Sequence, residues 1–242
     1  MEKVQDYVDI VNAPWGKMFY DLLFLQLVLP QSPTLKILDF GSGLGVTANY
    51  YAAWHNVTAL EPNIEMINHR FAENPYTQIH GGVGDLSSFA NGTFDYIFCH
   101  NVLEYIADQE PIIQSLLRVL KTGGKLSVVK HNRVGRVIHT AVFRNNPQKA
   151  LSIFDEGTND SNNYLGTQYI YSNEDLIAWA AKHGGKLANI LGMRTFWALG
   201  QDNDVKFSGE WYENMLALEN KAALINEYRQ AAFLNHLIFE RT

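Results

Sequence analysis

A chain of 242 residues, 47% hydrophobic and 12% aromatic, carries enough apolar surface to bury one large core, which excludes a disordered chain. Its lone cysteine, Cys99, excludes an internal disulfide and most cysteine-based metal sites, so no metal is expected. A net charge of −6 argues against a nucleic-acid surface spread over the whole chain, and DNA is not an expected partner.

The first residues, "MEKVQDYVDIVN", lack the basic start and small-residue cleavage site of a secretory leader. The most apolar window, 18–30, is too short for a membrane span and contains Asp21, so no membrane partner is expected and the chain reads as cytoplasmic. Apolar spacing predicts a helix over 16–29, then a buried strand "TLKILDF" over 34–40. A helix over 45–54, a strand over 56–61, a helix over 63–73 and a weaker strand over 76–81 follow. "TFDYIFCHN" over 93–101 is a strong strand, and the helix over 110–120 has Pro111 in its first turn. "TGG" stops that helix before a fifth strand over 125–130.

Strand and helix therefore alternate from 34 to 130, the pattern of right-handed βαβ units. Beyond 130 the regularity lapses until a capping box, Ser172 with Asp175, opens a helix over 172–185. A strand entering a loop is predicted over 186–199, a long helix over 209–230 and a final edge strand over 231–241. The expected architecture is α/β: a Rossmann-like, mostly parallel seven-stranded sheet with helices on both faces and its last strand antiparallel. One domain over 1–242 is expected, with a ligand-binding core at 30–130, a substrate-side insertion at 131–171 and the rest of the sheet at 172–242.

The stretch "ILDFGSGLG" places a glycine-rich turn directly after the first strand. Gly41 and Gly43 fit a dinucleotide fingerprint, but its third glycine would fall on Val46, and no lysine follows as a phosphate-binding loop requires. S-adenosylmethionine (SAM) has no phosphate and makes other demands. It needs backbone clearance, an acid for the ribose hydroxyls and a polar contact for adenine, at the carboxyl ends of successive strands. Asp39, Gly41, Ser42, Gly43 and Gly45 occupy the first such end, and Glu61 and Pro62 the second, with Met66 nearby. Gly84, Asp85 and Leu86 follow the third strand, and His100 and Asn101 close the fourth. Each has a structural explanation when taken alone: Asp39 as a turn cap, Glu61 as a solvated carboxylate, Asp85 as a loop residue, His100 as a satisfied histidine. Their order and spacing together favour SAM.

"ILDFGSGLG", "ALEPNIEMI", "GVGDL", "FDYIFCHNVLEYI" and "LLRVLKTGGKLSVV" resemble the successive motifs of class I SAM-dependent methyltransferases. "CHNVLEYIAD" and "GGKLSVVKHN" resemble, more narrowly, the bacterial transfer-RNA 5-carboxymethoxyuridine methyltransferases, as do "GMRTF" and "YENMLALE". That resemblance implies esterification of the carboxylate of a modified wobble uridine. It also implies roles for Asn132, Gly135 and His139, and a SAM-contacting arginine at the place that Phe19 holds, for which Lys17 is the nearby substitute.

A carboxylate is already ionised at neutral pH and needs no base, whereas a hydroxyl or amine acceptor does. His100, Glu104 and His131 are the candidate bases, none in a motif that demands the role. A carboxylate does need a cation to orient it. Arg194 is the first candidate; Arg133 and Arg136, with His131, come from a segment over 126–154 that has five basic residues and no acidic one. Transfer RNA and a small molecule enclosed by 131–171 are the alternative acceptors, and a non-catalytic SAM-binding protein is a third reading.

Overall fold

In the computed structural model, which describes residues 2–156, 159–163 and 166–242, seven strands form one sheet. They are β1 (Lys36–Phe40), β2 (Asn56–Glu61), β3 (Thr77–His80), β4 (Phe94–His100), β5 (Leu120–His131), β6 (Gly185–Met193) and β7 (Leu234–Arg241). Their spatial order is β3-β2-β1-β4-β5-β7-β6; β1 to β5 run parallel, and β7 is antiparallel to both its neighbours. This is the Rossmann-like sheet that the alternating pattern predicts.

Period-2 alternation divides each strand between two cores. Leu38, Ile97, Cys99, Leu126, Val128, Leu237 and Phe239 pack under helices α5 (Glu110–Val119) and α8 (Asn173–Lys182). Ile37, Phe98, Val129 and Ile238 turn to the other face, under α2 (Pro14–Gln26), α3 (Val46–Ala52) and α9 (Gly209–Ala222). The capping box of α8 forms: Ser172 Oγ accepts from Asp175 N at 2.9 Å and Asp175 accepts from Ser172 N at 2.8 Å. Among the described residues no helix is long and apolar enough to cross a membrane.

Four expectations are corrected. The strand at 234–241 is interior, and β6 holds the edge. Six of the eight β7 residues are buried, whereas β6 exposes Lys186, Ala188 and Asn189. The helix expected over 63–73 is only α4, Ile64–Asn68, because Phe71 N turns away to donate to Leu44 O at 2.8 Å and the Arg70 guanidinium takes the Ile67 carbonyl. The long C-terminal helix breaks into α9 and α10 (Asn226–Ala231), where the Ala223 carbonyl accepts from Gly192 N of β6 at 2.8 Å. Finally, the sequence pattern predicts no element before residue 16, yet a helix α1, Glu2–Asn12, precedes α2. The insertion after β5 contains helices α6 (Arg133–Val142) and α7 (Pro147–Glu156) and two short antiparallel strands, Asn159–Asn163 and Gly166–Gln168.

Candidate functional site for a cofactor and an acceptor

The glycine turn leaves β1 with Gly41, Gly43 and Gly45 all in the left-handed region, at φ 72°, 54° and 70°. A side chain on Gly41 would strike Val102, and one on Gly45 the Tyr76 hydroxyl. At Gly43 a Cβ would meet nothing within 4 Å, so this position is clear for a ligand rather than for protein packing. Glu61 at the end of β2 braces the turn: Oε2 accepts from Gly43 N and Oε1 from Asn63 N, each at 2.8 Å.

Two cavities meet beside this turn. The larger, about 510 Å³, is walled by Glu61, Pro62, Met66, Val83, Val102 and Ile106. The smaller, about 190 Å³, is walled by Asp39, Ser42, Thr47, His131, Arg194 and Phe233. Tyr7, Gly41, Gly43, His100 and Asn101 line both and form the neck between them. Helices α1 and α2 supply further walls of the smaller cavity through Ile10, Trp15, Phe19 and Tyr20, and Tyr7 hydrogen-bonds Tyr20.

Among the described residues, five buried polar atoms along these walls have no hydrogen-bond partner: Asp39 Oδ2, Ser42 Oγ, His100 Nδ1, Asn101 Oδ1 and Arg194 Nε. Burial pushes the Asp39 carboxyl up to about 7 against the Ala48 N–H, and raises Glu61 too against the N–H groups of Asn63 and Gly43. Two desolvated carboxylates that form no salt bridge among the described residues, orphaned acceptors and an open glycine fit a ligand bearing positive charge and several donors. SAM, with a sulfonium and an ammonium, has that character.

Arg194 follows β6 in a left-handed conformation at φ 59°. The loop beyond it is pinned by Glu219 of α9, whose carboxylate accepts from Thr195, Phe196 and Trp197 N at 2.7–2.8 Å. Glu219 lies within the matching "YENMLALE" segment, but nothing in the sequence links it to Arg194. Burial lowers the Arg194 guanidinium to about 10, opposed by Glu219, and the group lies 5.4 Å over the Phe233 ring. His131 also lines this cavity, its Nδ1 at 3.0 Å from Glu104 Oε1. Burial alone would raise Glu104; the His131 ring and backbone N–H outweigh it and hold the carboxyl below its usual range.

The other sequence candidates lie elsewhere. Lys17 is 60% exposed, pairs with Asp21 at 2.5 Å, lies over the Tyr212 ring and lines neither cavity, whereas Phe19 walls the smaller one. Gly45 serves the protein packing of the turn. Gly84 and Asp85 are exposed, Asp85 accepting from Gly82 N at 2.8 Å, and Leu86 is sunk in the core, while Gly82 and Val83 of the same turn line the larger cavity. Asn132 caps α6 and donates to the Gln230 and Ala232 carbonyls at 2.7 and 2.8 Å. Arg133 donates to the Ile153 and Phe154 carbonyls, and Arg136 to Gln168 Oε1 at 3.0 Å. His139 stacks on Phe143, and burial among Arg144, Arg194, Arg136 and Lys206 lowers it to about 4. These four residues anchor the insertion; none of them walls either of the two cavities.

Fold, glycine turn and orphaned acceptors define a class I SAM-dependent methyltransferase, with SAM as cofactor. Residues 38–128 match a family model described as a methyltransferase domain. The chain is 26% identical over 195 residues to the tRNA 5-carboxymethoxyuridine methyltransferase of Escherichia coli, covering 77% of this chain and 72% of that protein. It is also 26% identical over 165 residues to the ubiquinone biosynthesis O-methyltransferase of Colwellia psychrerythraea, covering 66% and 64%. Among solved structures, a SAM-dependent methyltransferase from Archaeoglobus fulgidus superposes with a TM-score of 0.64 at 11% identity, covering 97% of this chain and 99% of the other, and shows the shared fold.

Proposed function

We propose that this enzyme transfers the SAM methyl group to a carboxylate, that of a modified uridine at the wobble position of tRNA. The observation that carries the reading is Arg194, a guanidinium at the wall of the smaller cavity with no hydrogen-bond partner for its Nε among the described residues. A planar cation so placed orients a carboxylate in a fixed pose. SAM supplies an electrophilic methyl group. The chain's task is then to hold the acceptor oxygen in line and exclude water. Arg194 fixes the carboxylate, the aromatic rings of Trp15, Tyr20 and Phe233 wall the space around it, and no proton has to be removed. The likeness to the E. coli tRNA enzyme supports the same acceptor, which would be met in the cytoplasm.

The basic segment supports tRNA less than its composition promises. Lys130 is 3% exposed, and Arg133 and Arg136 are engaged within the protein. Arg144 remains outward.

A second reading, methylation of a hydroxyl on a small molecule enclosed by 131–171, is favoured by the His131–Glu104 pair. With Glu104 accepting at Nδ1, the other ring nitrogen of His131 is the acceptor that could take a hydroxyl proton. Incubation with methyl-labelled SAM and separate tRNA and small-molecule fractions decides between them. Label in tRNA that alkali releases as methanol supports the ester. Alkali-stable label confined to small molecules overturns it.

A further inference from the structure

A buried relay crosses the molecule from α2 to the neck between the cavities. Period-2 alternation puts His100, Ser127 and His236 on the sheet face that α2 covers, on the neighbouring strands β4, β5 and β7. Gln26, the last residue of α2, donates from Nε2 to the Gly192 carbonyl at 3.0 Å, and its Oε1 lies 2.9 Å from His236 Nδ1. Turning the amide over would set its oxygen against the Gly192 oxygen, so Oε1 is the acceptor and His236 Nδ1 carries a proton. Burial keeps His236 neutral, lowering it to about 3, which leaves Nε2 as a bare acceptor. Ser127 Oγ, 2.8 Å away and fully buried, must therefore donate its only proton to His236. It can then only accept from His100 Nε2, also at 2.8 Å. His100 is held neutral by burial and by His236, so its Nδ1 is left with a lone pair and, among the described residues, no partner.

We propose that Gln26, His236 and Ser127 are positioning residues that fix His100 as a hydrogen-bond acceptor, and that the donor it meets is the α-ammonium of the SAM methionine moiety. The inference rests on the cofactor assignment. Among the other orphaned side-chain atoms on the same walls, Asp39 Oδ2 and Asn101 Oδ1 are acceptors as well, whereas Arg194 Nε donates and Ser42 Oγ does either; a trivalent N–H donor with positive charge suits the three acceptors. Gln26 and His236 line neither cavity, so they act through Ser127 and His100 alone.

Two measurements test this. Nitrogen-15 NMR of the ligand-free wild-type protein should show His100 protonated at Nε2 and bare at Nδ1. In calorimetry, Ser127→Ala and Gln26→Leu should each weaken S-adenosylhomocysteine by roughly three- to tenfold, about one net hydrogen bond. The analogue lacking the amino group should bind each variant as it binds the wild type. A proton found on Nδ1, or equal losses for the two ligands, would overturn the proposal. The NMR measurement decides even where a variant fails to fold. Failure of the wild type to bind S-adenosylhomocysteine at all would be a different result, overturning the cofactor assignment and with it the relay's role.

Discussion

Glu61 holds Gly43 by its backbone: one carboxylate oxygen takes the Gly43 N–H at 2.8 Å while the other takes that of Asn63. A residue that the sequence offers as a ribose contact is thus the brace of the glycine turn. Glu61→Ala should cost stability as well as affinity, because two N–H groups lose their acceptor. The expected loss is about 1–3 kcal/mol of folding free energy. Glu61→Gln, which keeps one acceptor oxygen, should fall between. Denaturant titration beside calorimetry checks this; weaker cofactor binding with unchanged stability would remove Glu61 from the brace.

Gly43 and Gly41 should respond differently to alanine. Gly43→Ala meets no atom and costs only its left-handed backbone, about 1–2 kcal/mol, yet should abolish binding of S-adenosylhomocysteine by filling the cleared space. Gly41→Ala drives a methyl group into Val102 and should lower the melting temperature further. Normal binding by a folded Gly43→Ala protein would mean that the ligand lies elsewhere.

The acceptor reading turns on Arg194. Arg194→Ala should lower kcat/KM for a carboxylate acceptor roughly 10- to 150-fold, the cost of about 1.5–3 kcal/mol for a charge-assisted pair. Added guanidinium should restore part of the rate, and affinity for SAM should hold. Steady-state kinetics on labelled tRNA would refute the role if rate and KM stayed at wild-type values.

Asp39 gives a pH dependence whose sign can be worked out. Its carboxyl is raised from 3.8 to about 7 by burial, so the ligand-free folded state binds more protons than the unfolded chain between those values. Its contribution to stability is therefore fully present below about pH 4 and is lost as pH rises towards 7. A cationic ligand reverses the preference by favouring the carboxylate. Below pH 7, binding of S-adenosylhomocysteine should release a proton, measurable as a buffer-dependent calorimetric enthalpy, and Asp39→Asn should abolish that release. Equal proton release by the Asn variant would assign the titration to another group.

Lys17→Ala should leave SAM affinity unchanged and stability within about 1 kcal/mol, since its partner Asp21 is a half-exposed neighbour one helical turn away. A loss of affinity in that variant would restore Lys17 to the site.

The sheet and half of the cavity wall were legible because local patterns write them. Strand-end residues such as Asp39, Glu61 and His100 follow directly from alternating elements and a glycine turn. Asp85 is legible as a motif, but its carboxylate folds back onto Gly82 N, a geometry that spacing does not specify. Arg133 and Arg136 looked free because the carbonyls and amide that engage them lie 20 to 32 positions away. The relay was out of reach for the same reason: Gln26, Ser127 and His236 are up to 210 positions apart and meet only when β7 enters the sheet. β7 is interior rather than the expected edge, and its unbroken apolar run "LIF" is what a strand covered on both faces carries.

Because β7 lies between β5 and β6, the sheet is not continuous until residues 234–241 have entered it. Phe233 and Leu234, at the start of that strand, wall the smaller cavity opposite Tyr7 and Ile10 from α1. During synthesis the glycine turn and Glu61 leave the ribosome well over a hundred residues before that wall exists. A nascent chain would therefore acquire its cofactor fingerprint early and its ability to shelter a reactive methyl group only with the arrival of β7.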